Sequence, residues 1–212
     1  MKKLLVLLFS TLLLSSTSVF ADDISDFEIE GMSIGDSLLD YLSEGEILER
    51  IERIEHGIDK NSYFYLKEPN KFIEIYLRKE FPTYDGVSVF VKNNSTSKYL
   101  TNKNEKYIIL ALRGFITYIE DHNSCIQKRD EIIEDLSKMF PNVKRRDELR
   151  THRVDPSGNS ITDGIDFSLD SGGVVDAQCS NYEENFRILN KYSEGFSITV
   201  VSAETIRWFK DK

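Results

Sequence analysis

Residues 161–179 read ITDGIDFSLDSGGVVDAQC, and this stretch has the clearest strand pattern in the chain. Apolar and polar side chains alternate on both sides of a central Asp-Ser-Gly-Gly segment, residues 170–173. Alternation with a period of two predicts half-buried strands, and two such runs joined by a short glycine-containing segment predict a β-hairpin. We therefore expect two antiparallel strands here, each with one face in the core.

Three further segments predict strands of the same sheet. Residues 107–119 are apolar on both faces, which is typical of a central strand covered by a helix. Residues 87–91 and 196–201 are shorter runs rich in β-branched and aromatic side chains, which favour strands. A terminal helical turn is expected over residues 205–209.

Helices are predicted mainly before the strands. Ser33 and Ser43 each stand three residues before an acidic residue, the spacing of a capping box, and apolar residues follow at helical spacing. We therefore expect two helices joined by a short turn over residues 33–57. Residues 72–77, FIEIYL, fit a helix, which we prefer, and they also fit a strand.

These expectations together predict an α+β fold in two layers. An N-terminal helix hairpin and one further helix, which ends before Pro141, would pack on an antiparallel sheet. Residues 141–160 are polar and are expected to form a long connection. The length suits a single α+β domain over residues 22–212.

Residues 1–21, MKKLLVLLFSTLLLSSTSVFA, have the organisation of a secretory signal peptide. Lys2 and Lys3 precede a short apolar run, and Val19 and Ala21 fit the small-residue pattern of a cleavage site. We expect cleavage after Ala21, a periplasmic or secreted protein, and no membrane insertion once the signal has been removed. Loss of the two lysines takes the formal net charge from −9 to −11, which disfavours nucleic acid as a partner.

The chain has two cysteines, Cys125 and Cys179. Cys125 falls on the apolar stripe of the helix predicted from about residue 123 to residue 140, and Cys179 falls on the apolar face of the second hairpin strand. An even number of cysteines in an exported protein favours a disulfide bond. We predict one Cys125–Cys179 bridge, and two reduced core cysteines are the alternative.

The segment Gly35-Asp36-Ser37-Leu38 matches the four-letter signature of the GDSL-type lipases and esterases. This resemblance implies that Ser37 is a nucleophile. The other motifs of that family are missing. Its Asp-x-x-His motif, for example, has the reverse order here, in His152-Arg153-Val154-Asp155. The alternative, which we prefer, is that Ser37 lies at the capped start of a helix.

His152 and Asp155 form a polar group with Asn159 and Asp163, and this group contains both an imidazole and carboxylates. An imidazole oriented by a carboxylate can act as a base near neutral pH. The same residues also fit a simple turn, because Pro and Gly supply turn conformations between residues 155 and 159. We prefer the turn, and we expect no metal site and no cofactor.

The segment IEGMSIGDSLLDYL, residues 29–42, resembles the opening of a group of uncharacterised exported bacterial proteins. The strand of residues 107–118, the helix with Cys125 and the hairpin of residues 161–179 resemble later parts of the same group. This resemblance implies no activity.

The start of the predicted helix pair at Gly31-Met32-Ser33 is similar to the small outer-membrane-assembly lipoproteins and to the β-lactamase-inhibitor-like fold. The resemblance implies a helix hairpin on an antiparallel sheet and action by binding other proteins. This chain lacks the lipid-bearing cysteine of those lipoproteins.

We therefore expect an exported, non-catalytic binding or interaction domain whose partner is another envelope protein. The alternative is a secreted hydrolase that uses Ser37 or the pair His152 and Asp155. A third possibility is a small-ligand site formed by the aromatic residues between positions 63 and 84.

Overall fold

The computed structural model describes residue 24 and residues 27–55, 72–77, 81–92 and 105–210. The predicted signal peptide lies outside the described residues and stays a prediction. The expected helix end near Gly57 and the first part of the aromatic segment lie outside them too.

Among the described residues, seven strands form one antiparallel sheet in the order β3–β4–β5–β9–β8–β7–β6. These strands are β3 (Phe72–Leu77), β4 (Gly86–Lys92), β5 (Ile109–Thr117), β6 (Lys144–Thr151), β7 (Ile161–Ser168), β8 (Val174–Asn181) and β9 (Gly195–Val201). The last strand in sequence therefore lies in the middle of the sheet.

A small hairpin and four α-helices complete the described chain. The hairpin consists of β1 (Glu28–Ile29) and β2 (Met32–Ser33), and a short 3-10 helix, Leu38–Asp40, follows it. The α-helices are α1 (Glu44–Glu55), α2 (His122–Met139), α3 (Glu184–Asn190) and α4 (Ala203–Lys210). No helix in this part of the chain is long and apolar enough to cross a membrane.

The main hydrophobic core lies between one face of the sheet and helices α1 and α2. Alternate residues of each strand point into this core because successive side chains of a strand face opposite sides. Its fully buried members include Ile47 of α1, Leu136 of α2, Val87, Val89 and Val91 of β4, and Val175, Ala177 and Cys179 of β8.

The opposite face of the sheet is apolar only at its β3–β5 end. There Trp208 of α4 packs on Phe72 and Phe90, with ring centroids 5.3 Å and 6.1 Å away. The rest of this face carries polar side chains, and we call it the polar face. Its central row, from strand to strand, consists of Ser88, Arg113, Thr199, Asp176, Asp166 and Arg146.

The predicted disulfide bond is confirmed. Cys125 of α2 and Cys179 of β8 are bonded, with their Cα atoms 5.9 Å apart and 54 positions between them in sequence. The bond attaches α2 to the sheet, and both cysteines are buried.

The predicted α+β fold with an N-terminal helix hairpin is wrong. The molecule is mostly β, and residues 28–40 form the β1–β2 hairpin and a 3-10 turn instead of a first helix. Glu30, Gly31 and Gly35 have φ angles of 53°, 77° and 98°, which a right-handed helix cannot contain. The second predicted helix is confirmed as α1, with Ser43 and Glu46 forming its capping box.

Two further expectations about elements are wrong. Residues 72–77 form strand β3 rather than a helix, and the strand is buried on both sides, Glu74 included, because both faces of the sheet are covered there. Residues 141–160 contain strand β6, which the sequence presents as polar because an edge strand is exposed on both faces. The hairpin of residues 161–179 is confirmed as β7 and β8.

Candidate functional site

Ser37 lies in a buried cap and is only 3% exposed. Its Oγ donates a hydrogen bond to the carbonyl oxygen of Lys106 at 2.8 Å and accepts one from the N–H of Leu39 at 3.3 Å. It is thus the N-terminal cap of the 3-10 helix.

Asp155 organises the loop between β6 and β7. Its carboxylate accepts hydrogen bonds from the N–H groups of Ser157 and Ser160, both at 2.9 Å, and from the hydroxyl of Ser157. The bonds from Ser160, followed by those from Ser157, hold the pKa of this carboxyl well below its usual range. The carboxylate is thus committed to the backbone of its own loop.

The imidazole of His152 lies among three aromatic rings rather than beside that carboxylate. Tyr182, Phe186 and Tyr192 surround it, with ring centroids 5.4 Å, 5.3 Å and 5.6 Å away. The Nδ1 atom of His152 is buried. The ring therefore packs the junction between the β6–β7 loop and α3.

Ser37 and His152 lie at opposite ends of the sheet. Ser37 pairs with Ile108, just before β5, whereas the N–H of His152 bonds to Ser160 at the end where β5 finishes at Thr117. Nine residues of strand separate these ends, which is about 30 Å. The structure does not bring together the residues of the hydrolase hypothesis.

The same end of the sheet carries a group of exposed apolar side chains, which we call the apolar end. Its members are Ile119, Val154, Ile188 and Leu189, which are 51%, 67%, 61% and 82% exposed. They are four of the seven large apolar side chains that are exposed in the described residues. They come from three segments at this end of the sheet, which are the residues after β5, the β6–β7 loop and α3. Exposed apolar side chains that form a patch often mark interaction sites.

Helix α3 contributes two of these side chains and has no buried residue of its own. The carboxylate of Glu183 caps its first turn by accepting from the N–H of Phe186 at 2.7 Å. Lys191, with a φ angle of 55°, ends it in the left-handed conformation. The caps therefore hold a short helix whose Ile188 and Leu189 point to solvent.

A buried glutamate ties the apolar end to the sheet. Glu194 is 4% exposed, and its carboxylate accepts hydrogen bonds from the N–H groups of Tyr182 at 2.8 Å and Glu120 at 3.1 Å. The same carboxylate lies 3.6 Å from the guanidinium of Arg187, which also lies 3.6 Å from Glu120. One acidic side chain thus fixes α3, the segment after β5 and the end of β8 relative to one another.

A second feature is a groove of about 530 Å³ between α2 and the strands β6 and β7. Ile133 and Ile165 form its apolar part, and its charged lining includes Arg129 and Asp163. The guanidinium of Arg129 is buried and paired with Asp163 at 2.5 Å and with Asp130 at 2.8 Å. The positive charge of Arg129 in this groove is therefore already neutralised by two aspartates of the same chain.

A third feature is the carboxyl pair of the polar face. Burial, followed by the hydrogen bond with Asp166 and its charge, raises the pKa of Asp176 well above its usual value. Burial also acts to raise the pKa of Asp166, but the hydrogen bonds from Asp176 and Arg146 outweigh it and lower that pKa. The two carboxyl groups are thus hydrogen-bonded to each other, and Arg146 and Arg150 bind their outer sides.

The described residues contain no group of three or more His, Cys, Asp or Glu side chains placed to hold a metal ion. The groove and the carboxyl pair are held by ion pairs within the chain. The apolar end remains as the surface whose side chains lack cover from the described part of the chain.

Comparison with known families, with curated proteins and with solved structures finds no match for this chain.

Proposed function

We propose that this chain is an exported, non-catalytic binding domain of the periplasm or cell envelope, and that another protein docks on its apolar end. Export is supported by the signal-peptide pattern of residues 1–21. The observation that carries the binding function is α3, a capped helix whose Ile188 and Leu189 point to solvent.

The energetics favour a covered state for this surface. Full burial of one Leu or Ile side chain stabilises a complex by about 1.5 to 3 kcal/mol. Ile188 and Leu189, together with Val154 and Ile119 from the same end of the sheet, would contribute the apolar part of an interface. The hydrogen bonds to Glu194 already fix the segments that carry this surface, so binding a partner would cost little further conformational entropy.

The charge of the chain favours a protein over a membrane as the partner. The formal net charge is −9, or −11 without residues 1–21, and an acidic protein is repelled by anionic lipid. Helix α3 has seven residues, and Glu184 lies in its first turn. Membrane-surface helices are typically longer and rich in Lys and Arg on their polar face.

Site-specific photo-crosslinking in cells that produce the full chain tests this proposal. A photo-reactive residue at position 189 should give a discrete covalent adduct with one envelope protein. The matched control is the same residue in place of Glu131, which is exposed on α2. Equal adducts at both positions, or none at position 189, would contradict the docking surface.

A separate assay tests whether the chain has hydrolase activity. Purified chain is assayed on simple ester substrates beside a Ser37→Ala variant. We expect no activity from either protein. Activity of the parent chain that the Ser37→Ala variant loses would show a hydrolase and contradict a purely binding role.

A further inference from the structure

The two outer strands of the sheet differ in how their free edges are covered. The guanidinium of Arg50, on α1, donates a hydrogen bond to the carbonyl oxygen of Tyr76 in β3 at 2.7 Å. Strand β6 ends the sheet on the other side, and seven of its eight residues are exposed. An exposed edge strand of this length presents a row of N–H and C=O groups that can pair with another strand.

The side chains of β6 have a specific charge pattern on each face. On the face shared with α2, Arg145 precedes Asp147, and on the polar face, Arg146 precedes Glu148. Both pairs make ion pairs within the strand, at 2.8 Å and 3.3 Å. Charged side chains on an edge strand discourage pairing with most other strands, but a pattern of both signs can complement its own copy when opposite charges face each other.

Symmetry restricts how β6 could pair with a second β6. In an antiparallel pair, residues opposite each other point to the same face, and successive residues of one strand point to alternate faces. Two identical antiparallel strands can therefore pair only if the two-fold axis passes between one residue and the same residue of the other copy. Residues that face each other then differ by an even number of positions. This leaves a few registers to compare, one for each axis position.

A two-fold axis at Arg146 gives the best match of side chains. Opposite charges then meet four times, because Lys144 faces Glu148 twice and Arg145 faces Asp147 twice. Leu149, which is 69% exposed, faces the half-buried Val143 of the other copy. Only Arg146 faces its own copy, and its charge is already paired with Asp166 and Glu148.

Neighbouring registers are poorer. An axis at Asp147 has two opposite-charge pairs, Arg146 with Glu148, but it also sets Lys144 against Arg150 twice and Asp147 against itself. An axis at Glu148 sets Arg146 against Arg150 twice and Glu148 against itself. An axis at Leu149 pairs five residues of β6 with its copy, as the axis at Arg146 does, but it has only two opposite-charge pairs.

We propose that two copies of this chain pair through β6 about a two-fold axis at Arg146, which joins their sheets edge to edge. This goes beyond the proposed binding function and does not depend on it. His152 follows the end of β6, so the antiparallel arrangement sets the two apolar ends at opposite ends of the dimer. Each copy therefore keeps its docking surface accessible.

Charge reversal tests the register with a rescue. Sedimentation velocity over a range of concentrations should show the full chain as a reversible dimer. Lys144→Glu sets two like charges together and should weaken dimerisation at least about tenfold. The double variant Lys144→Glu with Glu148→Lys restores opposite charges and should recover the dimer. A monomeric parent chain, or dimerisation of Lys144→Glu equal to that of the parent, would overturn the proposal.

Cysteine substitution tests the axis directly. An Arg146→Cys variant should form a covalent dimer under mild oxidation, because the two thiols would face each other across the axis. The control is Leu149→Cys, whose two copies would be separated by six residues of strand, or about 20 Å. It should stay monomeric on reducing-agent-free gels. Covalent dimer from Leu149→Cys as fast as from Arg146→Cys would place the axis elsewhere and overturn the proposal.

Discussion

Asp166 of β7 and Asp176 of β8 lie directly opposite each other on the polar face, and their carboxyl groups are hydrogen-bonded to each other. Two hydrogen-bonded carboxylates cannot both ionise cheaply in a buried site, so burial and the charge of Asp166 raise the pKa of Asp176. The polar face is thus held together by a hydrogen bond between side chains that would otherwise repel each other.

We predict that Asp176→Asn stabilises the chain at neutral and alkaline pH. The pKa of Asp176 is raised in the folded state, so the folded chain binds more protons than the unfolded chain above about pH 4. The free energy of unfolding that Asp176 supplies therefore falls as pH rises towards the folded pKa. Asn cannot lose this proton, and its amide can still donate to Asp166.

Urea unfolding of parent and variant at a series of pH values measures this effect. The difference in favour of Asp176→Asn should grow as pH rises from about 4. Asp170→Asn, in the exposed turn between β7 and β8, serves as the control and should show no such trend. A difference that is constant with pH would mean that Asp176 holds no extra proton.

We predict that the Cys125–Cys179 bond supplies a large part of the stability. It closes a loop of 54 residues, and the loop-entropy argument gives about 4 kcal/mol for a loop of this length. The double variant Cys125→Ser with Cys179→Ser should lose roughly this free energy of unfolding in urea titrations. Parent chain unfolded with a reductant should show the same loss, and a change below about 1 kcal/mol would show that the bond is not stabilising.

Gly195 is predicted to be intolerant of any side chain. A Cβ atom there would overlap the carbonyl oxygen of Ile116 and lie 2.7 Å from the nitrogen of Tyr118, and the φ angle is 139°. Gly195→Ala should therefore lower the free energy of unfolding by about 3 kcal/mol or more. The matched control is Gly45→Ala in α1, where a Cβ meets nothing within 4 Å. It should be neutral or stabilise by up to about 1 kcal/mol in the same thermal unfolding assay.

Glu194→Gln is predicted to loosen the apolar end. The substitution keeps the shape but removes the charge that holds Arg187 and the N–H groups of Tyr182 and Glu120. We expect a loss of about 1 to 3 kcal/mol and faster amide exchange in α3. Glu184→Gln, exposed on the same helix, is the control. Unchanged exchange in α3 would mean that Glu194 does not organise this surface.

The hairpin of β7 and β8 and helix α2 could be predicted from the sequence because only one face of each is buried, and β5 could be predicted from its long apolar run. The hairpin of β7 and β8 alternates apolar and polar residues, and the stripe with Cys125 marks α2. Strand β3 is buried on both faces, Glu74 included, because α1 and α4 lie on opposite sides of it, so a period of two does not mark it as a strand. Strand β6 is polar on both faces because it is at the edge, and its period is hidden for the opposite reason.

The apolar end could be predicted only in part. Ile188 and Leu189 stand out as an apolar pair among polar residues, which is a usable signal of an exposed contact. Val154 and Ile119 come to the same end only through the Glu194 contacts and the packing of His152 on Phe186. Those contacts join segments that are far apart in sequence, and no local pattern reports them.

The central position of β9 determines the order in which the sheet can be completed. Strands β3–β5 and β6–β8 are two three-stranded meanders, and each has an inner edge that only residues 195–201 can close. Ala111 of β5 pairs with Val201 of β9, and these residues are far apart in sequence. Closing so long a loop makes this pairing one of the most expensive contacts of the sheet in chain entropy. A chain that emerges from its N-terminus would thus carry two unfinished half-sheets until residues 195–201 arrive. The sheet can be completed cooperatively only after that segment is available.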